Sequence, residues 1–218
     1  MLNYFFCYNT AMIKDANYYK TLIIDEFFND LNIDLLVTEI PYLYGNRKAD
    51  LVVIHDNKSI AYEIKSELDN LTKLNEQIRD YQEVFNEVYV VIADKFKISQ
   101  EIKNLPKNIG LIIEKNGTFK IKRTAKIKTM LKKDKTVYFL HKNEMLKYLN
   151  TNKYLSINGV REKFLNKFNN KEVYNIVLSA LINRYNDKFK LFCFDRGEYT
   201  HKEDLKMLTG LKQGLNLL

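Results

Sequence analysis

Cysteine, proline and glycine are scarce in this chain of 218 residues, which holds two, two and seven of them. Cys7 and Cys193 lie far apart and outside any metal-type spacing, which excludes a disulfide framework and a thiolate zinc site. A reducing, cytoplasmic setting is the simplest expectation. Long apolar runs are also missing: no segment reaches the roughly 18 uninterrupted apolar residues of a membrane span. The opening MLNYFFCYNTAMI is apolar, but it lacks a basic leading region and a small-residue cleavage site, so neither export nor a membrane partner is expected. No repeat or low-complexity tract interrupts the chain.

What is abundant is Lys, Asn and Ile. The net charge is +8 and the isoelectric point about 9.2, compatible with an anionic partner such as nucleic acid. An AT-rich coding sequence would give the same profile, so the charge alone is weak support. A hydrophobic content of 46% over this length suffices for one ordinary core, or a core with a modest appended subdomain.

Helical spacing of Tyr18, Leu22, Ile23, Phe27 and Leu31 predicts an amphipathic helix over 14–32. Three short runs rich in Ile, Val, Leu and Tyr follow at 34–43, 48–55 and 59–65, separated by turn residues at Tyr44, Gly45, Asn46 and at Asp56, Asn57. They read as a meander of three strands. Helical periodicity returns over 68–85 through Leu71, Leu74, Ile78, Tyr81 and Phe85, with Asp69 or Asn70 available as N-cap, and 88–93 reads as a buried strand. The expected fold is therefore α/β: an αβββαβ core with a mixed central sheet. After Glu114 the chain becomes Lys-rich, with a turn at Asn116 and Gly117, and then helical at 137–149, 160–168 and 171–185. We read a core at 1–114 and, at 115–218, a basic connector with a mainly helical subdomain.

The meander carries charges in unusual places. In ADLVVIHDNKSIAYEIKSELDNL, residues 49–71, Glu63 and Lys65 share one face of their strand. A hairpin turning at Asp56 and Asn57 returns Asp50 to the same edge. Two carboxylates brought together repel unless a hard divalent cation such as Mg²⁺ or Mn²⁺ lies between them. A Lys beside that ion can position water and neutralise charge on a phosphate. Gln77 and Tyr81 stand at i and i+4 on one face of the next helix.

Asp50, Glu63, Ile64 and Lys65 on the second and third strands of such a core resemble the PD-(D/E)xK nuclease superfamily, with its restriction-endonuclease-like fold; Gln77 and Tyr81 reproduce its RecB-like QxxxY pattern. The resemblance covers about residues 14–94, and the text around the motifs is similar to a small, poorly characterised bacterial and phage branch. Ala49 stands where the leading Pro of the motif would be. The resemblance implies a Mg²⁺-dependent deoxyribonuclease, with Mn²⁺ as a substitute, leaving 5′-phosphate and 3′-hydroxyl ends. Asp50, Glu63 and the Ile64 carbonyl would hold the ion and Lys65 would assist hydrolysis. Gln77 and Tyr81 would lie by the site and the DNA backbone. A further acidic residue is expected from Glu39, with Glu26 the second choice. RNA remains open beside DNA because the metal chemistry is indifferent to the sugar, and cutting both strands with one site per chain favours a homodimer.

Each of these positions has a bland alternative. Asp50 could be a strand-entry residue, Glu39 a solvated strand position, and Gln77 with Tyr81 a helix boundary between core and solvent. The run Lys120, Lys122, Arg123, Lys126, Lys128, Lys132 and Lys133 reads either as a phosphate track or as a solvated basic linker. Arg47 and Lys48 read as phosphate contacts or as a charged turn, and His55, His141 and His201 have no ligand spacing. The competing function is a non-catalytic nucleic-acid- or partner-binding module on the same fold.

Overall fold

The computed structural model describes residues 13–30, 32–150 and 154–211; Cys7, most of the apolar opening and Leu31 lie outside them. The fold is α/β, with one mixed six-stranded sheet in the order β1-β2-β3-β4-β5-β6. Helix α1 (Ala16–Phe27) opens it, capped by Asp15, whose carboxylate accepts the Tyr18 N–H at 2.8 Å. Strands β1 (Leu35–Tyr42), β2 (Arg47–His55) and β3 (Lys58–Lys65) form the expected antiparallel meander. Asp56 and Asn57 both take positive φ at the β2–β3 turn, as a two-residue hairpin of right-handed twist requires. Helix α2 (Leu74–Val84) crosses over to β4 (Glu87–Ala93), which pairs with β3 in parallel. The αβββαβ order is thus present.

Helix α2 begins later than its periodicity suggested. Asp69 caps no helix; it accepts the Ser66 N–H at 2.9 Å and the Ser66 hydroxyl at 2.5 Å, closing a turn directly after Lys65. After a short α3 (Gln100–Lys103), two strands follow that periodicity did not reveal. These are β5 (Gly110–Lys115), parallel to β4, and β6 (Thr118–Arg123), antiparallel to β5 around Asn116 and Gly117. The division expected after Glu114 therefore passes through a hairpin of the sheet. Strand β6 is exposed along most of its length, and Lys120 and Lys122 guard it as an edge.

The remaining helices are α4 (Lys133–Thr136), α5 (Lys142–Leu146), α6 (Ile157–Lys167), α7 (Asn170–Asp195) and α8 (Leu205–Leu208). α7 runs ten residues past the expected end at Tyr185. The two faces of the sheet have different cover. Tyr62 meets Phe28, just past α1, at 5.9 Å and stacks on Tyr89 at 5.3 Å. Ser59, of opposite parity in β3, meets Tyr174 of α7, and Lys65 meets Gln77 of α2. On that second face Tyr42, Tyr81, Phe85 and Phe139 form a buried aromatic cluster that fixes α2 against the sheet.

Candidate metal centre

The parallel half of the sheet ends at Lys65, and open α/β sheets place their ligands at such carboxyl ends. Pairing between β2 and β3 stops at Leu51 and Tyr62, so one step further Asp50 lies level with Glu63 with no ladder pair between them. The ladder is replaced by side chains. Asp50 Oδ2 accepts the Ile64 N–H at 2.8 Å, and the Asp50 N–H donates to the Tyr81 hydroxyl at 3.2 Å. In an extended strand the N–H and C=O of one residue point to the same edge, so the Ile64 carbonyl faces the same gap as its amide.

Glu63 is only 1% exposed. Its Oε1 meets Lys65 Nζ at 2.8 Å, whereas Oε2 is buried with no hydrogen-bond partner among the described residues. Lys65 Nζ also donates to Gln77 Oε1 at 2.9 Å, which fixes the ammonium between strand and helix. Gln77 and Tyr81 therefore share one helix face, one holding Lys65 and the other the Asp50 backbone. Burial, and then the negative charge of Glu63, push the Asp50 carboxyl up to about 7, while the Ile64 N–H and Lys20 pull it down. Burial, the charges of the same two carboxylates and the approach of its hydroxyl to the Glu63 carboxylate hold the Tyr81 phenol well above its ordinary value.

Glu39 falls opposite Asp50 in the β1–β2 register, between the pairs Thr38 with Leu51 and Ile40 with Ala49. Its backbone is left-handed, with φ 54°, which interrupts the pairing there. The carboxylate is ion-paired to Lys20, which α1 delivers, and lies 3.3 Å from Lys48. Burial opposes its ionisation, but the two ammoniums hold Glu39 below the usual carboxylate range. Glu26 is elsewhere: it accepts the Phe119 N–H on β6 at 3.1 and 3.3 Å. Arg47 is tied to Glu76 and to Asp80, at 3.1 Å, on α2. His55 meets its neighbour Asp56, at 3.4 Å.

The residue that periodicity left out is Lys20. It is 3% exposed, and its position three and four residues before the buried Ile23 and Ile24 places it on the apolar stripe of α1. That offset was the available signal. The donors facing the gap are hard oxygens: two carboxylates and a carbonyl, suited to Mg²⁺ or Mn²⁺ rather than zinc. Among the described residues no group of three His, Cys, Asp or Glu side chains stands in a metal-holding arrangement, and Glu39 is engaged by its lysines. The buried, unpartnered Glu63 oxygen beside Asp50 is what fits a cation. Among the described residues no helix is long and apolar enough to cross a membrane.

Among solved structures, one likeness is to a protein of unknown function from Silicibacter pomeroyi, 19% identical. It covers 47% of this chain and 67% of the other with a TM-score of 0.36, too loose a match to carry an argument. Protein cII of Enterobacteria phage P4 is 27% identical over 158 residues, covering 69% of this chain and 59% of the phage protein, so the chain spans about three fifths of that relative's length. The family of bacteriophage P4 protein cII matches residues 13–209, nearly the whole sequence, and the chain belongs to that family.

Proposed function

We propose that this chain is a metal-dependent nuclease of the PD-(D/E)xK type, hydrolysing DNA phosphodiester bonds at Asp50, Glu63 and Lys65. The observation that carries the reading is the buried Glu63 carboxylate, with one oxygen unpartnered among the described residues, level with the half-buried carboxylate of Asp50. Such a pair is costly without a cation.

Asp50, Glu63 and the Ile64 carbonyl would hold Mg²⁺ or Mn²⁺, which supplies Lewis acidity at a phosphoryl oxygen and lowers the pKa of water. The chain's own groups supply the rest. Lys65, held between Glu63 and Gln77, orients the attacking water and offsets charge developing on the phosphate. Gln77 restricts that ammonium to one place, and Tyr81 keeps Asp50 aimed into the gap by accepting its N–H. Glu39, kept ionised by Lys20 and Lys48, sets the field at the rim.

The test is cleavage of labelled single-stranded, duplex and branched DNA, and of RNA, with Mg²⁺ or Mn²⁺ and with EDTA. Metal-dependent cutting lost in Lys65→Ala and Asp50→Ala supports the reading; variants that cut like the parent would sink this site. One observation favours a second reading, a non-catalytic nucleic-acid-binding module: Lys20 already brings a fixed cation beside Glu39, and its charge is felt at Asp50. Binding without turnover, indifferent to EDTA, would favour it.

A further inference from the structure

Beside the carboxylate pair, a cavity of about 430 Å³ opens between α1, β1, the start of β2 and the C-terminal segment. Lys20, Lys48, Lys202 and Lys206 line it, together with Glu39 and Thr209. Four ammoniums thus surround a space whose walls carry the one carboxylate, Glu39; Asp15 outside it meets Lys202 at 3.1 Å. The cavity neighbours the candidate metal centre through two of its lining residues: Glu39 is opposite Asp50 in register, and Lys20 acts on both. Its polarity is that of an anion site.

The C-terminal wall is built to stay in place. At its start Asp25 accepts the Thr200 hydroxyl at 2.6 Å and Arg196 at 3.0 Å. At its end the Gly210 N–H donates to Thr38 O at 2.6 Å, and Thr209 bridges Thr38 in parallel. Lys188 Nζ and the Tyr185 hydroxyl, both from α7, reach the carbonyls of Thr209 and Gly210 at 3.0 and 3.3 Å. Between these anchors Lys202 and Lys206 are presented to the cavity. Lys202 is held by the Asp15 carboxylate, whereas lysines of the basic run after the sheet are held by backbone carbonyls. Lys128 donates to Gln82 O at 2.6 Å, Lys133 to Leu165 O and Phe168 O at 2.5 and 2.8 Å, and Arg123 to Ile109 O at 2.6 Å.

Building on the nuclease reading, we propose that this cavity binds the phosphate backbone of the DNA strand next to the scissile bond, with Lys202 and Lys206 as the phosphate-contacting groups and Lys48 between them and the carboxylates. Phosphate contacts of this kind position a strand without reading its sequence.

The experiment is fluorescence anisotropy of labelled single-stranded and duplex DNA with the full chain in EDTA across a salt series, followed by cleavage with Mg²⁺. Lys202→Ala/Lys206→Ala is expected to weaken binding about tenfold and to reduce the duplex salt slope by roughly 1.8, the loss of two counterion-releasing contacts. Lys202→Arg/Lys206→Arg restores both, and Lys120→Ala/Lys122→Ala, on the exposed edge strand, changes neither. The melting temperature of each variant checks folding. A double alanine variant that is folded and binds with the parent's affinity and slope overturns the proposal, as does a parent that binds no DNA. If the parent cuts DNA while the double variant binds unchanged, the cleft falls and the nuclease stands. If binding depends on these lysines but no metal yields cutting, the cleft stands and the nuclease reading falls.

Discussion

Two buried glutamates, each 1% exposed, sit near the ends of parallel strands in the same sheet, and their surroundings are opposite. Glu114, on β5, is satisfied on both oxygens: Oε1 takes Lys14 at 3.0 Å and the Gly117 N–H at 2.7 Å, and Oε2 takes the Tyr19 hydroxyl at 3.0 Å. Although burial opposes ionisation, these donors hold its carboxyl below the usual range. Glu63, on β3, has one oxygen on Lys65, another with no partner among the described residues, and a second carboxylate facing it. Glu114 ties α1 to the β5–β6 turn. Glu63 is arranged as though a positive ligand were to complete it. Burial alone does not separate these two carboxylates; the completeness of their hydrogen bonding does.

The largest expected effect separates the two at the level of chemistry. On the nuclease reading, Lys65→Ala should lower metal-dependent cleavage per folded molecule by roughly 100- to 1,000-fold, because it removes charge stabilisation at the reacting phosphate, and it should also lower the melting temperature, because Glu63 loses its ammonium. Glu114→Ala should cost stability alone. It strands the Lys14 ammonium and the Tyr19 hydroxyl, at a cost of about 3 kcal/mol measured by urea denaturation, with cleavage per folded molecule unchanged. Equal loss of activity in both variants would erase the contrast.

A pH series sharpens it further. Asp50 is raised from its ordinary value to about 7, so in EDTA the folded chain binds a proton that the unfolded chain releases. Its contribution to stability is complete below about pH 4 and is lost as pH rises through 7. Melting temperatures in EDTA should therefore fall from pH 5 to pH 8, and Asp50→Asn should flatten that fall. Glu114 and Glu39 have the opposite sign, since their lowered values contribute stability that disappears in acid. The smallest effect is expected for Tyr81→Phe, which leaves the Asp50 N–H without its acceptor: about 1 kcal/mol of stability and a few-fold in cleavage, read by the same two assays.

Much of the frame was legible in the sequence because it is local. Alternation and turn residues define the β1–β3 meander, and the 3.6-residue spacing through Ile78 and Tyr81 defines α2. The meeting of Asp50, Glu63, Lys65, Gln77 and Tyr81 follows from register and helix geometry alone. What was hidden depends on tertiary partners. Strand β6 reads as a charged tract because its Lys residues face solvent at an edge, and Gly110 of β5 carries no side chain because the Tyr89 ring would lie 2.2 Å from its Cβ. The left-handed backbone of Glu39 has no glycine to announce it. The pairing of Lys20 with Glu39 spans a helix and a strand that periodicity treats separately.

The most direct measurement is calorimetric titration of Mn²⁺ into the parent, Glu63→Gln and Glu114→Gln at pH 8. The account predicts one saturable site in the parent, kept in Glu114→Gln and lost in Glu63→Gln. Binding that survives in Glu63→Gln, or is absent from the parent, would contradict it.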